Sequence, residues 1–208
     1  SGFAGRNNRP FSPERTFIVI QKHCWECGAA LIEKPLEGEG IVPFCPACGE
    51  YRFPMYNAAV SMIVVDENTG RILLIQQYGR PSYILVAGYI NRGESAEAAV
   101  RREILEETGL HAGRIHFNRT RFFEPSNTLM CNFTAFVPDA ERIHVNREVD
   151  RFRWFSPEEA RANIRPNSLA AAFLDAWLDE NGIFHQTSPQ PLTPMEDLPF
   201  IYDEAGRM

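Results

Sequence analysis

The chain is short of positive charge. Its 208 residues carry 21 Lys and Arg against 27 Asp and Glu, a formal net charge of -6. A surface built to grip nucleic-acid phosphates shows a basic excess, so this balance argues against that class. Long apolar runs are missing too. None approaches the roughly 18 residues of a membrane span, and the opening SGFAGRNNRPFSPERTF has no apolar signal core. The expected location is the cytoplasm, with no membrane partner. No internal repeat appears. What remains is an ordinary globular composition, 44% hydrophobic and 23% charged, in a chain long enough for one domain with a real core plus a small module.

Cysteine is also scarce, five residues in all, yet four of them are paired as Cys24-x2-Cys27 and Cys45-x2-Cys48. In a reducing compartment such pairs read as a metal site before they read as disulfides. Each knuckle supplies two sulfurs from one tight turn, and two knuckles fill the four tetrahedral corners of Zn²⁺. Gly28 and Gly49 follow the second Cys of each, where the turn calls for positive φ. A site closed by four sulfurs has no open position for chemistry, so the expected role is structural. From Cys24 to Glu50 the charges are Glu26, Glu33, Glu37, Glu39 and Glu50 against Lys34 alone, which is unlike a phosphate-binding surface. Cys131, in LMCNFTAFV, is expected to be a packed thiol.

The organisation reads as residues 1–20, an N-terminal segment; 21–54, the cysteine module; 55–184, the main domain; and 185–208, a tail rich in Pro, Ser and Thr. In the main domain AAVSMIVV, RILLIQQY and SYILVAG are expected strands, followed by a glycine-bounded loop from Gly88 to Gly93. Ser95 can cap a helix running to about Glu107, with Gly109 at its C′ position. Strands are expected near 114–123, at 128–137 and over RFRWF. Ser156-Pro157-Glu158-Glu159 is a capping box with Pro at N1, and NSLAAAFLDAWLDENG is a further helix.

The stretch RREILEETGL places Glu103, Glu106 and Glu107 at offsets i, i+3 and i+4, on one helix face within an arc of about 100°. Such like charges repel. Val100 and Ile104 lie to one side and can anchor the helix, while Ala96 and Ala99 leave room above the acidic face. From Gly88 to Leu110 the sequence is G-x5-E-x7-R-E-I-L-E-E-T-G-L, with nine fixed positions that resemble the box of the Nudix hydrolases. The resemblance implies an α/β/α sandwich with the box as loop, helix and loop. It implies that Glu103, Glu106 and Glu107 bind Mg²⁺ or Mn²⁺ and activate water, that Arg102 orients one of them, that Glu94 lies near, and that the Ala87 carbonyl is a further ligand. Hard cations of this kind prefer oxygen donors and neutralise a diphosphate for attack by water. A distal acid is expected at Glu148, with Glu141 as the fallback.

A cysteine ribbon ahead of such a box resembles the NADH pyrophosphatase branch of the family, over about Cys24 to Trp177. The carrying segments are LVAGYINRGES, FPMYNAAV and Asn167-Ser168-Leu169-Ala170. The resemblance implies that Phe53, Ala170 and the 121–128 loop, including Arg121, Phe122, Phe123, Ser126 and Thr128, touch a nucleotide or dinucleotide substrate, and that the protein is a homodimer. Phe122 and Phe123 read equally as a stacking platform or as strand core. The branch's SQPWPFP motif is replaced by TRFFEPSN. NAD(H), FAD and ADP-ribose therefore all stay open as substrates, with removal of NAD caps from RNA as a further activity and a purely nucleotide-sensing protein as the non-enzymatic reading.

Overall fold

The computed structural model describes residues 21–181, which fall into two compact units meeting between Tyr56 and Asn57. The N-terminal segment and the Pro-rich tail lie outside the described residues. In the first unit β1 (Ile32–Leu36), β2 (Gly40–Cys45) and β3 (Glu50–Tyr51) form an antiparallel sheet in that order. Its two knuckles have matching geometry: Gly28 donates to the Cys24 carbonyl at 2.8 Å and Gly49 to the Cys45 carbonyl at 2.9 Å. Both glycines have φ of 75°, as the turn requires.

The second unit contains β4 (Asn57–Asp66), β5 (Ile72–Gln77), β6 (Val86–Tyr89), α1 (Ala96–Thr108), β7 (Ile115–Phe123), β8 (Thr128–Val137), β9 (Val149–Phe155), α2 (Pro157–Asn163) and α3 (Leu169–Glu180). The strands form one sheet in the order β7-β8-β4-β5-β9, with β6 also paired to β4. β4 and β8 run parallel over ten residue pairs. A strand covered on both faces needs apolar side chains on both, and β4 has them. Ala59, Ile63 and Val65 pack into a core with Ala160 of α2 and Leu169, Phe173 and Leu174 of α3. Val60, Met62 and Val64 pack on the other side with Val100 and Ile104 of α1. The unit is thus an α/β/α sandwich.

The element ends follow local chemistry. Ser95 caps α1 by accepting from Ala98 N. Gly109 ends it with φ of 66°, and a Cβ there would also overlap the His144 ring. Ala99 is fully buried in the core beneath α1, so it does not open space above the acidic face. The expected strand SYILVAG is shorter and later than its composition suggests. Ile84 bridges Ile75 of β5, whereas Val86 pairs with Met62 of β4. The segment changes partner at Leu85, which interrupts the ladder, and the strand then runs through Gly88 to Tyr89. No helix among the described residues is long and apolar enough to cross a membrane.

At α2 both halves of the capping box are present, Ser156 Oγ to Glu159 N and Glu159 Oε2 to Ser156 N. Replacing Ser156 with Ala should cost about 1 kcal/mol, a drop of about 2–4 °C in Tm. A thermal melt checks this, and an unchanged melting temperature would contradict the role assigned to the cap.

Candidate active site

The cysteines meet as their spacing predicts. Cys24 Sγ lies 3.9 Å from Cys48 Sγ and Cys27 Sγ lies 3.5 Å from Cys45 Sγ. All four sulfurs fall within 4.8 Å of one another. A tetrahedron with metal–sulfur bonds of about 2.3 Å has edges of about 3.8 Å, so the cluster fits a metal ion such as zinc. The sequence reading missed Arg52. Its guanidinium is 8% exposed, donates from Nε to Cys24 Sγ at 3.2 Å, and pairs through Nη2 with Glu26 at 2.6 Å. Burial pushes the Cys24 thiol up, but Arg52 and the backbone N–H groups around it hold it at about 6. Contacts with Cys27 and Cys45 push Cys48 up to about 12. Four thiolates around one divalent ion leave excess negative charge, which Arg52 offsets.

Around α1 the arrangement is built on Arg102. Its Nε and Nη2 hold Glu94 at 2.8 and 2.9 Å, Nη2 donates to the Tyr89 carbonyl at 2.9 Å, and Nη1 reaches Glu103 at 2.6 Å and Glu106 at 3.1 Å. The bidentate grip of Arg102, aided by Asn91 N–H, draws the Glu94 carboxyl down to about 2. Glu103 lies across β6. A Cβ at Gly88 would overlap its carboxylate, so the first glycine of the motif is required for close approach. Burial raises the Glu103 carboxyl against the pull of Arg102.

Glu107 is 5% exposed, and its Oε2 has no hydrogen-bond partner among the described residues. Burial pushes its carboxyl up to about 8; the Gln77 amide opposes this, and the charges of Glu103, Glu148 and Glu106 add to it. The Glu148 charge therefore bears on the same carboxyl. It is held there because residues 144–148 close the end of α1: His144 N donates to Thr108 O at 3.0 Å and Asn146 N to Glu107 O at 3.1 Å. Tyr78 Oη also donates to Glu148 Oε2 at 3.1 Å. Glu141 is the acid the structure sets aside, since its side chain is 72% exposed and pairs with Arg142.

The four carboxylates are spread more widely than the sulfurs, and no three of them bring oxygens within 4.8 Å of one another. Mutual repulsion and the pull of Arg102 on Glu103 and Glu106 account for this spacing. The Ala87 carbonyl lies two residues before that of Tyr89 on β6. Ile90 N bonds to β4, so by alternation the carbonyls of residues 87 and 89 leave the opposite edge, toward α1.

On the other face of the sheet a cleft is lined by Ser61, Gln77, Leu85, Ala87, Met130 and Ala170, among others. Gln77 and Ala87 belong to both sites, so the cleft adjoins the carboxylates. Arg121 pairs with Met130 across β7 and β8 and so shares its face. Two residues of the 121–128 loop do not face a ligand. Phe123 is 3% exposed within the core, which decides for strand core at that position. The buried Thr128 hydroxyl turns back to Ser126. Phe122 and Ser126 remain half-buried. Phe53 is exposed and belongs to the first unit. Sequence reasoning also missed Gln77 and Tyr78. Gln77 gives no signal in an apolar strand, and Tyr78 stands out only by its φ of 54°.

Comparison with known proteins agrees with this geometry. The NAD-capped RNA hydrolase NudC of Stutzerimonas stutzeri (strain A1501) is 26% identical over 181 residues, covering 86% of this chain and 62% of the relative. Nudix hydrolase 19, chloroplastic, of Arabidopsis thaliana is 31% identical over 150 residues, 68% of this chain and 34% of the relative. The chain thus spans less than two thirds of these relatives. Among solved structures, a NUDIX hydrolase from Nitrosomonas europaea superposes with a TM-score of 0.53 at 20% identity, over 78% of this chain and 94% of that one. The NUDIX domain of Shewanella oneidensis NrtR, complexed with ADP ribose, gives 0.52 at 15%, over 66% and 94%. These two show likeness of fold. The family model of the NUDIX domain matches residues 55–176, more than half of the chain, and this protein belongs to the Nudix hydrolase family.

Proposed function

We propose that the protein hydrolyses the diphosphate of a dinucleotide of NAD(H) type into two mononucleotides. Mg²⁺ or Mn²⁺ would sit at the glutamates and a structural Zn²⁺ at Cys24, Cys27, Cys45 and Cys48. The observation that carries the reading is the unpartnered oxygen of Glu107, buried among three other carboxylates. A buried acceptor with no donor is costly, and a hard divalent cation is the partner its chemistry asks for. Glu106, Glu107, Glu148 and the Ala87 carbonyl are the donors that would hold such ions. When bound, these ions neutralise the diphosphate, acidify water and steady the leaving phosphate.

The chain's own part is positioning and proton transfer. Arg102 fixes Glu103, whose burial-raised carboxyl suits taking a proton from the attacking water. The new bond joins water oxygen to phosphorus, and the bridging P–O bond breaks. Gln77 and Ala87 connect this point to the cleft, where Ala170 and Arg121, with Ser126 in the adjoining loop, would meet one nucleoside half. The NAD(H) assignment is supported by the ribbon preceding the box and by relatives that act on NAD-capped RNA by name. The same names favour a second reading, removal of NAD caps from RNA, to which the acidic chain lends no electrostatic help. FAD and ADP-ribose are the other candidate substrates. A cytoplasmic homodimer completes the proposal.

Replacing Glu106 or Glu107 with Gln should lower turnover of NADH by orders of magnitude while circular dichroism stays native. A fully active double variant would refute the reading. Removal of zinc by a chelator, or Cys24→Ser, should lower the melting temperature of the ribbon unit, with metal analysis falling from one zinc per chain to none.

Stability should also depend on pH. Glu107 titrates near 4.5 when unfolded and near 8 when folded. Between these values the unfolded chain has released a proton that the fold still holds, so stability is fully present below about 4.5 and is lost as pH rises toward 8. At about 1.4 kcal/mol per pKa unit, a loss on the order of a few kcal/mol is expected in metal-free protein. Thermal melts across this window should show it, Glu107→Gln should flatten it, and Mg²⁺ should restore more stability at the alkaline end than at the acid end.

A further inference from the structure

One bulky residue beside the carboxylates holds a backbone conformation that its type seldom adopts. Three described residues other than glycine have positive φ: Asn127, Asn167 and Tyr78. Asparagine tolerates the left-handed region, whereas a residue of tyrosine's size rarely enters it. Such an outlier persists only where its surroundings impose it, and these outliers cluster at working sites. At Tyr78, with φ of 54°, the neighbours on both sides are fixed. Gln77 ends β5 and pairs with Val149 of β9, and the ladder shifts register between Gln76 and Gln77, passing over Asp150. The Asp150 carboxylate that is passed over accepts from Gly79 N at 2.6 Å.

The result is a placement that plain strand alternation would not give. Successive residues of a strand point to opposite faces. Gln77 and Tyr78 nonetheless act on two acids whose charges bear on each other. The Gln77 amide acts on the Glu107 carboxyl, which also feels the Glu148 charge. The Tyr78 hydroxyl donates to Glu148 Oε2 at 3.1 Å. Both residues also line the cleft.

We infer that Tyr78 is a positioning residue for Glu148: its phenol holds Oε2 and so leaves the other carboxylate oxygen directed at the divalent cation, while its ring walls the substrate cleft. The inference rests on the reading that such a cation sits at these glutamates, and adds a residue outside the motif that ties the cation site to the cleft. The choice of side chain follows from charge. Arg102 fixes Glu103 with a cation, which opposes the approach of a second one. A phenol fixes direction with an uncharged donor and leaves the whole carboxylate charge to the ion.

The test is a double-mutant cycle on Mn²⁺ affinity of the full chain without substrate, read from the EPR signal of the free ion. Tyr78→Phe keeps the ring and removes the hydroxyl, and should weaken binding about tenfold, as loss of one hydrogen bond to a charged group implies. Glu148→Ala should weaken it at least as much, with Glu148→Gln as the substitute if the alanine variant melts early. Tyr78→Phe added to either should weaken it little further, because the two residues act through one contact. In turnover of NADH, Tyr78→Phe should raise the Mg²⁺ concentration for half-maximal rate and leave KM for NADH little changed, whereas Tyr78→Leu should raise both. Unchanged Mn²⁺ affinity in Tyr78→Phe would overturn the inference. So would losses that add in the double variant, since a purely structural tyrosine would give those. Wild-type affinity in the Glu148 variants would overturn it as well, while leaving hydrolysis at Glu106 and Glu107 untouched. A non-additive cycle in a protein that turns over no dinucleotide would leave the positioning role standing and refute the hydrolase reading.

Discussion

The site depends on the single cation Arg102. One guanidinium holds Glu94, Glu103, Glu106 and the Tyr89 carbonyl, so it joins the loop after β6, the strand itself and the acidic face of α1. Without it, the second half of α1 would present carboxylates one turn apart with no positive partner, and repulsion would both fray the helix and turn the side chains away from one another. The bidentate grip on Glu94 is the tightest part, as its depressed titration indicates. It anchors the arginine so that its remaining nitrogen can be shared between Glu103 and Glu106.

The two metal-type sites solve opposite electrostatic problems by similar means. At the cysteines the donors are drawn together to metal-binding distance, with a buried arginine balancing their charge. At the glutamates the arginine holds carboxylates apart and fixed in direction, while Glu107 is pressed into the protein with an oxygen that nothing among the described residues satisfies. The first arrangement suits an ion that stays.

Much of this was legible in the sequence because the decisive features are local. The cysteine spacing, the caps at Ser95 and Ser156 and the end of α1 at Gly109 each depend on a few neighbouring residues, and each was read at the right position. Glu148 was singled out only through family likeness, since nothing near it in sequence tells that its segment closes the end of α1. The misses are non-local. Arg52 and Gln77 act through partners 28 and 30 residues away, and an apolar strand gives no hint that its last residue reaches a carboxylate. SYILVAG misled because its composition is uniform while its pairing partner changes midway. Phe123 and Thr128 were read from a loop whose two ends belong to β7 and β8, and these end positions are the buried ones.

The contact between Gly88 and Glu103 gives the motif a mechanical meaning. Strand, loop and helix close into a ring at that point, with the carboxylate resting on bare backbone. An extra residue in the loop before Ser95 would disturb the bonds that hold Glu94. One inserted within α1 before Arg102 would rotate everything after it by about 100°, carrying Glu103 off its seat and the glutamates after it out of line with Glu148. The fixed spacing from Glu94 to Arg102 is therefore a phase requirement of the helix.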